Sequence, residues 1–232
     1  RSADLFLDFV RAEARGETGR HDYFVHRVSL TTNSVQTTAT RKIVPNAVTI
    51  TSYLLDAQYA SGNPLFGTGM GARWNVFPSG VTFFNGNTEP GAPGNGVTAI
   101  QTGLASWTND AGSNVNYVYG GLDSTHTGGL LGAPDNTNSV QFERNLTSIG
   151  VAPFQCSSNT YSGVLGIGGV SNASGTNSLN GETFFSTTEG DVEMNQGIAN
   201  CTLLFNSGDF NSALTHELGH TLGFRHSDEN RK

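Results

Sequence analysis

NSALTHELGHTLGFRH, residues 211–226, is the stretch on which the reading of this chain turns. Apolar and small residues recur at helical spacing from Asp209 to Leu222, which predicts a helix there. His216 and His220 are four apart, so they share one helical face about one turn from each other. Glu217 is rotated by about 100° from His216. It is free of the ligand row and able to stand beside a water. Gly223 follows the last turn, where a left-handed residue ends a helix and reverses the chain. His226 comes three residues later and can swing back as a third nitrogen donor. Three neutral nitrogens with one position left open is the catalytic arrangement for zinc, in contrast with a closed structural site. Zinc lowers the pKa of a bound water to about 7 and polarises a carbonyl. Glu217 is then the general base that takes the water's proton and returns it to a leaving amine.

Working outward, Val97–Thr108 carries Val97, Ile100, Leu104 and Trp107 at three-to-four spacing and predicts a second amphipathic helix. Strands are expected at Arg73–Phe77 continuing into Val81–Phe84, and at Val115–Tyr119, Asn138–Glu143, Tyr161–Val170 and Gly190–Asn195. That order predicts a mixed α+β layer and not an alternating βαβ chain. Residues 61–71 and 85–96 are Gly-rich and read as loops. Near the N-terminus, Leu5, Phe6, Phe9 and Val10 predict a helix over residues 2–14, with β-leaning segments such as Tyr23–Leu30 after it.

Composition bounds the partners. The 232 residues hold 12 Lys and Arg against 19 Asp and Glu, a formal charge of −7. That deficit of cations argues against a nucleic-acid groove. Only 13% of residues are charged, with 30 glycines in the chain, which suits a polar, turn-rich surface. No apolar run is long enough for a transmembrane helix. Cys156 and Cys201 can close one bridge, as in an exported protein, or remain two buried thiols. The opening on Arg1, without a signal peptide, is read as a processed end.

The run His216-Glu217-x-x-His220-x-x-Gly223-x-x-His226 resembles the extended zinc motif of the metzincin metalloproteases. Upstream, Arg73-Trp74 with a strand, the helix ending in Ala-Ser-Trp, and Gly190–Asn195 before the zinc helix look like a matrixin-like catalytic domain. The resemblance spans about residues 70–232. It implies a zincin-like fold: a twisted five-stranded mixed sheet with two main helices. It also implies His216, His220 and His226 as zinc ligands, Glu217 as the catalytic base, and a secreted endopeptidase acting on protein or peptide substrates. By the same resemblance, Tyr161–Val170 is the sheet edge along the cleft. Val164, Leu165, Gly166 and Ile167 are then the substrate-binding backbone.

One departure stands out. The family places a Met-containing turn after the third His, whereas Met70 and Met194 both precede it here. The sequence stops six residues past His226. The expectation is therefore an extension or propeptide over residues 1–68 and a catalytic domain over 69–232 that lacks its C-terminal subdomain. Asp22 or His26 could block zinc from the extension. Asp123 and His126 could bind a second metal. Asp135, Glu143, Asp191 and Glu193 could serve a structural calcium, which takes six to eight oxygens. Asn145, Asn172 and Asn200 head glycosylation sequons. Two rivals remain open: a structural or surface-assembly protein using a protease-derived fold, and a latent zymogen fragment.

Overall fold

The computed structural model describes residues 8–13, 22–27, 71–111, 113–125, 128–179 and 182–224. β1 (Asp8–Glu13) and β2 (Asp22–Arg27) form an antiparallel pair with Asp8 opposite Arg27. This corrects the helix expected over residues 2–14. Of the four apolar residues behind that expectation, Phe9 and Val10 fall in β1, where a partner strand supplies the backbone bonds, and Leu5 and Phe6 lie outside the described residues. The linker at residues 61–70 lies outside the described residues.

The main sheet contains β3 (Ala72–Arg73), β4 (Val81–Asn85), β5 (Tyr117–Leu122), β6 (Asn138–Arg144), β9 (Gly166–Leu179) and β10 (Glu182–Asn195). From one edge the order runs β9, β10, β6, β4, β5. The short β3 also lies along β10, at Phe185 and Ser186, on the side away from β9. All these pairings are parallel except β9 with β10, which is a long antiparallel hairpin. A mostly parallel mixed sheet with few helices agrees with a zincin-like layer. The described residues hold six strands in this sheet, one more than the expected five, because Trp74–Gly80 turns the chain between β3 and β4. These two were expected as one interrupted strand. A second small pair joins β7 (Gln155–Cys156) to β8 (Tyr161–Ser162).

Helix α1 (Val97–Thr108) fills the expected range and buries Ala99, Ile100, Leu104 and Trp107. It connects the parallel neighbours β4 and β5, so this part is a βαβ unit after all. Parallel neighbours need such a crossover. The predicted C-terminal helix is α3 (Asp209–His220), and a short helix that the sequence did not suggest, α2 (Thr202–Ser207), precedes it. Gly208 separates them at a φ of 83°, a conformation that glycine adopts without strain. The core lies between the sheet and these helices and includes Phe83, Ile100, Phe142, Val192, Leu214 and Leu218. Each large apolar side chain buried this way contributes roughly 1.5–3 kcal/mol.

The opposite face of β10 is different in kind. Glu189, Asp191, Glu193 and Asn195 alternate with the core residues and are all buried. The oxygens of Glu189 and Glu193 take backbone N–H donors from the segment crossing over them, and Asp191 is held by the neighbouring strand β6. Glu189 accepts from Asp135 and Asn136 at 3.2 and 2.6 Å, and Glu193 from Leu131 at 3.2 Å. Asp191 accepts from the Ser139 amide and hydroxyl at 2.9 and 2.8 Å. Asp135 in turn accepts from Gly128 and Thr137 at 3.2 and 2.9 Å. These carboxylates pin a loop to the sheet, a role that the sequence left unread in favour of calcium.

Candidate metallopeptidase site

Helix α3 carries the site. Its inner face packs Phe210, Ala213, Leu214 and Leu218 into the core, which fixes the rotation of the helix and so the face that holds the histidines. Asp209 sits in the first turn, where a negative charge meets the positive end of the helix dipole. His216 and His220 bring their Nε2 atoms to 3.1 Å. The rings stand perpendicular with centroids 4.7 Å apart.

The state of His220 follows from its other nitrogen. His220 Nδ1 lies 2.6 Å from the Phe224 carbonyl oxygen. A carbonyl only accepts, so Nδ1 carries the proton and Nε2 presents its lone pair toward His216. An N–H bond to a backbone carbonyl is the usual support of a metal-binding imidazole. Zinc–nitrogen bonds of about 2.0–2.1 Å at a tetrahedral angle place two ligand nitrogens roughly 3.3 Å apart. The observed pair therefore fits two ligands of one zinc ion. Among the described residues no group of three His, Cys, Asp or Glu donors forms. His226, the expected third ligand, lies outside them.

The chain leaves α3 as the sequence predicts. Gly223 has a φ of 92°, and its amide donates to the His220 carbonyl at 3.0 Å. This reversal is what brings the Phe224 carbonyl back to His220. Phe224 stacks against Trp107 with ring centroids 5.6 Å apart.

Glu217 is nearly buried, with 9% of its surface exposed. Burial raises its pKa from 4.5 to about 8, while the Gly168 amide donates to the carboxylate and works in the opposite direction. β9 thus touches the turn that carries the paired histidines directly. There is no room for a side chain at Gly168: a Cβ would sit 2.9 Å from the Glu217 Cα and closer still to its carbonyl.

Several supporting residues escaped the sequence reading. A Cβ at Gly219 would lie 2.6 Å from the Trp107 ring, so the glycine between Leu218 and His220 is a packing requirement. Trp107 Nε1 donates to the Thr215 carbonyl at 2.9 Å. At the end of α3, the Tyr117 hydroxyl meets Thr221 Oγ1 at 2.8 Å. Trp74 Nε1 donates to the Thr221 carbonyl at 2.9 Å. The glycine in the HELGH run and the two tryptophans were the available signals, but their partners are distant in sequence.

The expected substrate-binding residues divide. Gly166 and Ile167 open β9, whereas Val164 and Leu165 precede it in the connection from β8. Val164 is exposed and Leu165 buried. Their carbonyls accept from the Asn195 side chain and amide at 2.9 and 2.8 Å. Cys156 and Cys201 form a disulfide with Cα atoms 5.9 Å apart. It ties β7 to the start of α2. Asp123 accepts from Thr125 within its own loop at 3.1 and 2.6 Å, and His126 lies outside the described residues. Asp22 and His26 belong to the separate hairpin β1–β2.

Residues 120–232 match the family described as dual-action HEIGH metallo-peptidase. The chain reads His216-Glu217-Leu218-Gly219-His220 where that description spells HEIGH. No curated protein and no solved structure matches the chain. The matched part runs from the end of β5 through the β9–β10 hairpin to the paired histidines of α3. It is the part of the molecule that is similar to these metallopeptidases.

Proposed function

We propose that the protein is a secreted zinc-dependent endopeptidase that hydrolyses peptide bonds at the α3 site. The observation that carries this reading is the convergence of His216 Nε2 and His220 Nε2 at 3.1 Å, on the turn that also bears the buried Glu217. His216 and His220 would hold the zinc together with His226. Bound zinc supplies Lewis acidity, activating a water and polarising the scissile carbonyl. Glu217 takes a proton from the attacking water on its carboxylate and hands it to the leaving nitrogen. One water and one peptide bond thus become a carboxylic acid and an amine. The Gly168 amide orients the Glu217 carboxylate, and the raised affinity of the buried carboxyl for a proton suits a group that must hold one between the two transfers.

β9 is the edge of the sheet on the side of α3, and an extended substrate would add to it by main-chain hydrogen bonds. Gly166 and Ile167 are the residues of this strand nearest its start. Export to an oxidising compartment is supported by the Cys156–Cys201 bridge. The test is turnover of a quenched peptide library by the zinc-loaded protein. Cleavage that stops with a zinc chelator and is restored by added zinc is expected. Turnover that survives the chelator overturns the reading.

A further inference from the structure

Outside the α3 site the molecule sets a buried acid, Glu89, beside a half-buried one, Glu143, and nothing above employs the pair. Glu89 is the only charged residue in the loop from Gly86 to Gly96, and its side chain is fully buried. Neither of its carboxyl oxygens meets a donor group among the described residues. Its polar neighbour is the carboxyl group of Glu143, at the end of β6.

Glu143 is fixed from the other side. Its Oε2 accepts from the Gly197 amide at 2.9 Å, and its Oε1 accepts from the Ile198 and Ala199 amides at 2.9 and 2.8 Å. Three backbone N–H groups thus hold the Glu143 carboxyl group in place. Among the described residues, the elements packed around Glu89 offer no cation to balance a second charge. Its own loop, α1 and the turn 196–201 carry no other charged residue. Arg144, next to Glu143, holds its guanidinium 3.7 Å from Glu193 instead. The loop is pressed down on the pair: a Cβ at Gly96 would lie 2.6 Å from the Phe142 ring and 3.1 Å from Glu89 Cβ. Two touching carboxyl groups can bond to each other only when one of them carries a proton.

We propose that Glu89 and Glu143 form a proton-shared latch, in which the neutral Glu89 acid donates to the Glu143 carboxylate. The latch clips the β4–α1 loop to the turn 197–199, which leads through Cys201 into α2 and α3. It is a pH-sensitive fastening of the segment that carries the candidate site, and it stands whether or not that site hydrolyses peptides. Burial, then the charge of Glu143, then the bond to it raise the Glu89 pKa from 4.5 to about 8. The folded state therefore binds one more proton than the unfolded state between those values. The latch's stabilisation is fully present below 4.5 and is lost as pH rises through about 8.

The test compares unfolding midpoints from pH 5 to pH 9 for Glu217→Gln and for Glu217→Gln combined with Glu89→Gln. The shared change removes the other raised glutamate and any self-digestion. The amide introduced by Glu89→Gln keeps a neutral donor beside Glu143 at every pH. The single variant should lose stability with rising pH more steeply than the double, by up to about tenfold in the folding equilibrium per pH unit. Parallel profiles overturn the proposal. So does a rise in the single variant's midpoint with millimolar calcium that Glu89→Gln abolishes, because a cation would then hold Glu89 ionised. Should the double variant not fold, carboxyl carbon shifts of glutamate-labelled Glu217→Gln protein decide. One glutamate titrating near pH 8 supports the latch, and none titrating above pH 6 overturns it.

Discussion

Glu217 and Gly219 show how little freedom the His216–His220 turn has. Glu217 is the proposed base, so Glu217→Gln should keep the metal and lose about 10²–10⁴-fold in kcat/KM. Zinc stoichiometry and peptide turnover, measured on the same sample, check this. A fully active Glu217→Gln protein would remove Glu217 from the mechanism. Gly219 stands for the other constraint. The Trp107 ring occupies the space of its missing Cβ, and Trp107 is itself tied to the Thr215 carbonyl. Gly219→Ala must displace the ring or the helix and should destabilise the fold by about 1–3 kcal/mol. Urea unfolding measures it. A milder change, Tyr117→Phe, leaves the ring and deletes only the hydroxyl that meets Thr221. It should cost about 1 kcal/mol.

Among the elements, α3 depends on what precedes it. The disulfide closes a 45-residue separation and anchors the entrance to α2. Replacing both cysteines by serine should lower stability by about 4 kcal/mol on the chain-entropy account. Thermal or urea unfolding under non-reducing conditions checks this, and an unchanged midpoint would mean the bridge constrains nothing. The legibility of the elements follows their exposure. Helix α1 was readable because Ile100, Leu104 and Trp107 face one core. The paired histidines and Gly223 were readable because their spacing is local. The β9–β10 hairpin was not, beyond its inner half. Ser174–Ser178 is exposed and polar, so it lacks the alternation that marks a half-buried strand. The six-residue α2 is too short to show a helical period, so it was not legible ahead of Gly208. The contacts of Gly168 and Thr221 with distant chain cannot be read from local pattern at all.

At the scale of the molecule, the sheet separates two chemistries. One face of β10 packs Val192 and Met194 into the core, and the other buries Glu189, Asp191 and Glu193 beneath the 128–137 loop. This buried acid layer makes stability pH-dependent. Burial raises the Asp191 pKa above its ordinary 3.8; the bonds from Ser139 oppose this, and the charge of Glu189 adds to it. A carboxyl with a raised folded pKa contributes stability that declines as pH rises past its unfolded value. Asp191→Asn should therefore flatten the fall in melting temperature between about pH 4 and about pH 7. Parallel profiles for the two proteins would contradict that role.

All of these features position one pair of nitrogens. The zinc content of the purified, dialysed protein, set beside that of His220→Ala, tests the account most directly. One zinc per chain in the first and a large loss in the second is the predicted result. Zinc absent from the first after exposure to it, or unchanged in the second, would contradict the assignment of the α3 histidines as a metal centre.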